Sequence, residues 1–469
     1  MKKPLIIGIT ASPRSALRHE SIESILNFTS DELELKALLQ EMGHFKKRIS
    51  NSDGALISAF FGAKHFDCNF LLFNLRDIFD LSKKNLNKFS RNKELLIENI
   101  KKADGILIST PVYFGDCSSY VYELFNLINE KDEEYYNIFN NKTVGILSSG
   151  AKRNGGQETT NIFTLFEFFS LGANIIGNGP PTSQYGGTIW AGDKGSMAED
   201  SLGIETAIGT GKKMGEILNI LNPYNKKPNK KNTDNNHLNL ALILPGEKSL
   251  SEKIKQEINN FIEKIFNSTF EKKRISLEIS YIDIEKENEN IKRCLGCNEC
   301  PPTKNNLYCI IDDKIRNIRD ALLNSDSILF VNYLRGTKDI DTWINFKVFF
   351  ERTRHLRHNN FELTNKPAGI ITVSDENYMP ENNLSNVKFI TYFLRHNTIC
   401  VGPPAFAFLS GPPDSPSISE KSNERFYNSA KTMLSNLFKL SHMIKSASDE
   451  NPKSALYIPY GFGKFKNHQ

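Results

Sequence analysis

The feature that most constrains this chain is a repeated alternation of short, wholly apolar runs with longer helical patterns, met twice in the same order. In the first half, residues 5–10, 70–75, 105–109, 143–147 and 172–177 read as strands, with helices over 53–66, 93–103 and 160–169 between them. In the second half, the strands fall at 238–244, 276–284, 327–332, 368–373 and 398–402, with helices over 251–266 and 313–324 among the connections. Strands that are apolar along their whole length lack the in–out alternation of a one-sided sheet, so both faces must be covered. Helical connections between them make the neighbours parallel. The expected class is α/β, with two tandem doubly wound five-stranded parallel sheets.

Residues 222–237 (NPYNKKPNKKNTDNNH) are polar and carry two prolines, so they read as a linker. The expected organisation is a ligand-binding domain over 1–221, that linker, a second domain over 238–445 and a tail over 446–469. The 469 residues suit two domains. The linker's four Lys and one Asp supply +3 of the formal charge of +5, which leaves no basic face for nucleic acid. No apolar run approaches the ~18 residues that span a bilayer, and MKKPLIIGIT is too short an apolar stretch for a cleaved leader. Seven cysteines without a disulfide framework suit a reducing compartment. A cytoplasmic protein without nucleic-acid or membrane partners is expected.

Ligands of open parallel sheets bind at the carboxyl ends of the strands. After the first strand come Ser12, Pro13 and Arg14; beyond an interruption at 15–49, Ser50, Asn51 and Ser52 open the first helix. Hydroxyls, an amide and a guanidinium at a helix start suit a phosphate monoester, and plain capping also explains such residues. Neither GxGxxG nor GxxxxGK[ST] follows this strand, so dinucleotide and triphosphate fingerprints are not indicated. Pro111, Val112, Tyr113, Phe114 and Gly115 follow the third strand and offer flat faces to a planar ring. Ser148, Ser149 and Gly150, then Gly155, Gly156 and Gln157, follow the fourth; small residues admit close backbone approach, and amides suit ring carbonyls and nitrogens. Residues 185–187 and 191–195 read as one long glycine-rich loop at the same edge. Together these loops describe a site for flavin mononucleotide, FMN.

These pieces resemble the NAD(P)H-dependent FMN reductases of the flavodoxin-like fold, including the quinone-reductase and iron–sulfur flavoprotein branches. The matching stretches are ITASPR (9–14), SNSDGAL (50–56), ADGILISTPVYFGDCSS (103–119), SSGAKRNGGQETT (148–160) and, for the quinone-reductase branch, YGGTIWAGDKGS (185–196). The resemblance covers residues 1–221. It implies that Ser12, Arg14, Ser50, Asn51 and Ser52 hold the FMN phosphate. Pro111 to Gly115 would then flank the ring system, and Ser148, Ser149, Gly150, Gly155 and Gly156 would meet its polar edge. The interruption at 15–49 departs from the family pattern. Thr29 and Glu32 form a capping box there and Gly43 is a stop signal, so a helix over 30–42 is expected. Beside a ligand loop it reads as a lid or dimer contact, or as a surface excursion without a role.

The second half resembles the same superfamily more faintly. Its first strand is followed by Pro245-Gly246-Glu247-Lys248, which lacks the Ser/Arg phosphate pattern, so a second FMN is not expected. Cys294, Cys297, Cys300 and Cys309 follow C-x2-C-x2-C-x8-C, which resembles the compact motif of iron–sulfur flavoproteins. Three readings stand: a [4Fe–4S] cluster, structural zinc, or a remnant that holds nothing. Cys68, Cys117 and Cys400 read as small packing residues. Arg352, Arg354, His355, Arg357 and His358 read as a solvated basic face, with cofactor or partner contact as the alternative.

The resemblance implies an FMN-dependent oxidoreductase that takes hydride from NAD(P)H. Electrons would pass to a quinone-like compound, a protein acceptor, or the second domain's cluster, and no protein acid or base is required. A flavin-binding redox sensor or scaffold with little turnover is the alternative, and either a homo-oligomer or an intrachain pseudo-dimer suits two similar halves.

Overall fold

The computed structural model describes residues 3–27, 29–46, 48–81, 86–131, 138–179, 184–222, 237–246, 250–271, 273–288, 291–297, 309–311, 313–334, 340–358, 361–375, 384–410, 417–418 and 423–448. The chain divides into two compact units, Met1–Lys227 and Pro228–Gln469. Residues 223–236 of the expected linker and 449–469 of the expected tail lie outside the described residues.

The first unit contains β1 (Leu5–Thr10), β2 (Asn69–Asn74), β3 (Gly105–Pro111), β4 (Thr143–Gly150), β5 (Asn174–Ile175) and β6 (Gly187–Trp190). They run parallel in the order β2-β1-β3-β4-β5, the flavodoxin order. The fifth position is split. Along β4, β5 pairs with Thr143 and Val144, and β6 pairs with Leu147 to Gly150 farther on. The loop reading of 185–187 and 191–195 therefore misses a strand, because glycines flank and hide Thr188-Ile189-Trp190.

The helices of this unit are α1 (His19–Asn27), α2 (Glu32–Leu39), α3 (Asn51–Ala63), α4 (Leu86–Lys102), α5 (Ser119–Lys131), α6 (Gln157–Ser170) and α7 (Ser201–Leu221). Right-handed crossovers place α3 and α7 on one face and α4 to α6 on the other. α3 is buried from Ser52 to Ala63, as its nearly all-round apolar or small sequence requires. It packs so closely on α7 that a Cβ at Gly211 would lie 1.7 Å from the Ala59 carbonyl oxygen. On the other face, Phe168 meets Phe125 and Phe139 with ring centroids 4.8 and 5.2 Å apart.

Within the 15–49 interruption the expected helix is present as α2, continued by a wider helical turn over Gln40–Phe45. Its cap is Asp31, whose carboxylate accepts from the Leu33 and Glu34 N–H groups; Thr29 instead bonds back to Ile25 and Leu26 carbonyls. Gly43 does not stop the helix. It allows a backbone-to-backbone approach to Gly195, where a Cβ on Gly43 would lie 2.7 Å from the Gly195 oxygen.

The second unit contains β7 (His237–Leu244), β8 (Ser276–Asp283), β9 (Ser327–Leu334), β10 (Pro367–Asp375), β11 (Ile399–Val401), β12 (Ala405–Ser410) and β13 (Ser417–Ile418). The order β8-β7-β9-β10-β11 is again that of a flavodoxin, and β12 continues beside β10 past β11. Its helices are α8 (Glu252–Thr269), α9 (Ile284–Asn288), α10 (Ile315–Asn324), α11 (Ile340–Arg352), α12 (Arg354–His358), α13 (Leu384–Arg395) and α14 (Asn423–Ser448). Phe330 of β9 anchors an aromatic core with Phe349 and Phe346 of α11 and Phe389 and Phe393 of α13.

The basic run is not one solvated face, although Arg354 is exposed. Arg352, His355 and Arg357 are buried. Arg352 makes a two-pronged bond to Asp313, at 2.6 and 2.9 Å, which the local pattern of charges cannot announce. The His355 Nδ1–H donates to the Arg352 carbonyl at 2.6 Å, and burial pushes its pKa down to about 4. The folded value lies below the ordinary one, so the unfolded chain binds the extra proton between them. Stability from this group is complete above about pH 6.5 and is lost as pH falls toward 4, by at most about 3 kcal/mol. Urea titrations at pH 7 and pH 4.5 are expected to show that loss, and His355→Gln is expected to remove it.

Candidate functional site

The carboxyl ends of β1, β3, β4 and β6 lie at one edge of the first sheet, and the expected site residues follow them. The two phosphate segments, separated in sequence by the interruption, meet around one buried carboxylate. Asp53, in the first turn of α3, accepts from Thr10 Oγ1 at 3.0 Å, Ser15 Oγ at 2.6 Å, the Ala16 N–H at 3.2 Å and the Ser50 N–H at 2.9 Å. Ser15 and Ala16 begin the interruption and Ser50 ends it, so Asp53 clasps its two roots. The Ser50 hydroxyl oxygen accepts from the Asp53 N–H, completing a capping box.

This clasp sets the N-terminus of α3 beside the turn at Ser12, whose Oγ accepts from the Arg14 N–H at 3.2 Å. Both serine oxygens are occupied as acceptors while their protons stay available to an anion. The first-turn N–H groups of Asn51 and Ser52 have no intrahelical acceptor by position. Arg14 is exposed beside them. Asn51 differs from expectation: its amide donates to the Asp193 carbonyl at 2.8 Å and accepts from the Met197 N–H at 3.3 Å. It ties the loop after β6 to α3. The Ser52 carbonyl accepts from the Ser109 hydroxyl at 2.7 Å, anchoring α3 to β3.

At the ring end, Pro111 closes β3 and the Val112 N–H donates to the Ser149 carbonyl at 3.0 Å. Tyr113 and Asp116 exchange two backbone hydrogen bonds of 2.9 Å around Phe114 and Gly115. Both turn residues have positive φ, 53° and 80°, a two-residue hairpin turn that leaves the Phe114 side chain fully exposed. Space around Gly115 is open, whereas a Cβ on Gly156 would lie 2.9 Å from the Gly115 Cα. The loops after β3 and β4 therefore touch through glycine. Asp116 also accepts from the Tyr122 hydroxyl at 2.7 Å, a bond that holds that phenol protonated well above its usual range.

The amide of Gln157 is not offered to a ring. It donates to the carbonyls of Lys152 and Ile189 at 2.6 and 3.1 Å and accepts from the Gly155 N–H at 2.9 Å, so it shapes the loop after β4. Ser148 is likewise spent, donating to the Gln157 carbonyl at 2.9 Å. Ser149 Oγ is buried without a partner, a group that an added ligand would satisfy. The Gly150 carbonyl accepts from the Ala191 N–H at 2.9 Å, and the half-exposed Trp190 donates through Nε1 to the Ala151 carbonyl at 3.0 Å. Arg153 pairs with Asp200, which also caps α7 and accepts from the Trp190 N–H at 2.7 Å.

The residues present thus fit FMN: a helix start lined with hydroxyls, an unpartnered buried hydroxyl, open space at Gly115, and exposed aromatic faces on Tyr113, Phe114 and Trp190. Sequence reasoning missed Asp53, Arg153, Asp200 and Trp190 as organisers. Asp53 reads locally as an ordinary cap, and its decisive partners lie 37 to 43 residues away.

Residues 46–184 match the family model described as NADPH-dependent FMN reductase. That stretch of the first unit is similar to the family. An iron–sulfur flavoprotein of Methanocaldococcus jannaschii is 36% identical over 127 residues, 27% of this chain and 64% of that protein. The iron–sulfur flavoprotein of Methanosarcina thermophila is 31% identical over 130 residues, 27% of this chain and 62% of its own length. That of Archaeoglobus fulgidus is 26% identical over 220 residues, covering 46% of this chain and 97% of the relative. The chain thus spans somewhat under two thirds of the first two relatives.

Of the four clustered cysteines, Cys300 lies outside the described residues. Cys294 and Cys309 are half-buried and Cys297 is exposed. Among the described residues no three His, Cys, Asp or Glu side chains are gathered to hold a metal ion. Cys68 and Cys117 behave as packing residues, with burial pushing both thiols up to about 12.

Proposed function

We propose that the first unit binds FMN and that the protein is an FMN-dependent oxidoreductase, taking hydride from NAD(P)H and delivering electrons to a quinone-like acceptor. The observation that carries this reading is the clasp of Asp53, which brings Ser12 and Ser50 to one helix start at the edge where the exposed aromatics of the β3 loop stand. FMN bound there supplies a centre that accepts hydride and gives up electrons. Ser12, Ser50 and the N–H groups of Asn51 and Ser52 would hold its phosphate, with Arg14 adding positive charge. Pro111 to Gly115 would lie along the ring, and Ser149 would meet its polar edge. Phe114 and Trp190 would shield the ring from water.

Flavin titration into apo-protein is expected to quench FMN fluorescence at a single saturating equivalent. FMN-replete protein is then expected to oxidise NAD(P)H with a quinone as acceptor. Binding without turnover overturns the enzyme reading; absence of binding overturns both parts. Ser12→Ala is expected to weaken FMN about tenfold, the worth of one hydrogen bond to a charged group. The same variant should bind riboflavin, which lacks the phosphate, as the wild type does.

A further inference from the structure

At the carboxyl edge of the second unit, Asn332 of β9 and Thr372 of β10 are in-register neighbours. Their side chains therefore leave the same face of the sheet. Thr372 Oγ1 donates to Asn386 Oδ1 at 3.0 Å, and Asn386 lies in the first turn of α13, so that face is the α13 face. Phe330, two residues earlier on β9, faces the same way and packs on Phe389 of α13 at 5.2 Å. Asn332 and Asn386 thus stand one layer beyond the aromatic core, toward the strand ends.

Asn332 is 1% exposed, Asn386 is 0% and the adjoining Ser385 is 7%. Asn332 Nδ2, Asn386 Nδ2 and Ser385 Oγ nevertheless have no hydrogen-bond partner. Each unpaired buried group is costly, and native proteins leave few of them, so three around one helix start ask for an occupant. The first turn of α13 adds N–H groups that have no intrahelical acceptor by position, and the positive end of its dipole. Amide and hydroxyl protons converge there without a guanidinium or ammonium in the set, which matches a single negative charge better than the two of a phosphate monoester. The half-buried Trp343 meets Phe389 in a tilted contact at 5.5 Å and carries the Lys388 ammonium 4.0 Å from its ring, giving a flat wall and a cation nearby.

We propose that the second unit has a ligand site of its own, where Asn332, Asn386, Ser385 and the start of α13 receive the carboxylate of a planar aromatic acid. The site is independent of the flavin reading of the first unit. Calorimetric titration of the full, FMN-loaded chain with benzoate is expected to give saturable one-to-one binding, and titration with inorganic phosphate is expected to give none. Asn386→Asp replaces a donor with a like charge and should weaken benzoate at least about tenfold. Ser385→Ala, which leaves the helix start foldable, should weaken it several-fold, with unchanged flavin binding in both variants. Absence of saturable benzoate binding, phosphate binding of equal strength, or benzoate binding indifferent to both substitutions overturns the proposal. A crystal structure in benzoate with only water on Asn332 and Asn386 overturns it as well.

Discussion

Asp53→Ala is expected to raise the dissociation constant for FMN at least about a hundredfold and to lower unfolding stability by about 3–5 kcal/mol. The carboxylate is fully buried, and four donors converge on it from β1 and both roots of the interruption. Truncation leaves two buried hydroxyls, the buried Ser50 N–H and the Ala16 N–H without their acceptor. The Ser12 turn and the Ser50 cap then lose what holds them together, so the phosphate cradle opens even though no atom of Asp53 is offered to the phosphate. Asp53→Asn keeps the volume and one acceptor oxygen but turns an NH2 toward backbone N–H groups, so its loss should be intermediate. FMN fluorescence titration with urea denaturation checks both effects. Wild-type FMN affinity in a folded Asp53→Ala protein would show that the clasp plays no part.

Gly195→Ala is the second large effect, expected at about 2–4 kcal/mol of stability with weaker FMN binding. Gly195 has φ of 82°, which disfavours any side chain, and its Cβ would lie 2.2 Å from the Gly43 carbonyl carbon and oxygen. Backbone cannot rotate out of the way as a side chain does. The loop after β6 must then leave the helical turn at Gly43, which strains the Asn51 bonds to Asp193 and Met197. Gly43→Ala attacks the same contact from the other side. Thermal melts of both single variants and the double variant should therefore be strongly non-additive, since the contact can be lost only once. Additive shifts, or a Gly195→Ala melt matching wild type, would refute the contact. The interruption is thereby a brace on a site loop of its own unit.

Much of this is legible in the amino-acid sequence. Apolar runs such as LIIGIT and GILIS announce buried parallel strands, and reading the residues after each strand points to the edge where Ser12, Ser50, Pro111 to Gly115 and Ser149 stand. The legible part stopped at the division of labour among polar groups. Asn51 and Gln157 look like ligand amides, yet both are consumed inside the protein. The basic run at 352–358 looks solvated, yet Arg352 is buried because Asp313 reaches it from another segment. β6 was hidden because four residues between glycines carry too little periodicity to be read as a strand.

Sequence alone determined the class of fold, most strand positions and the edge at which the candidate site lies, because side-chain periodicity and chain direction are local properties. Only the tertiary structure decided which hydroxyls and amides remain free to bind and which are already spent. A hydrogen bond needs a partner within about 3 Å, and here those partners come from segments up to 146 residues away.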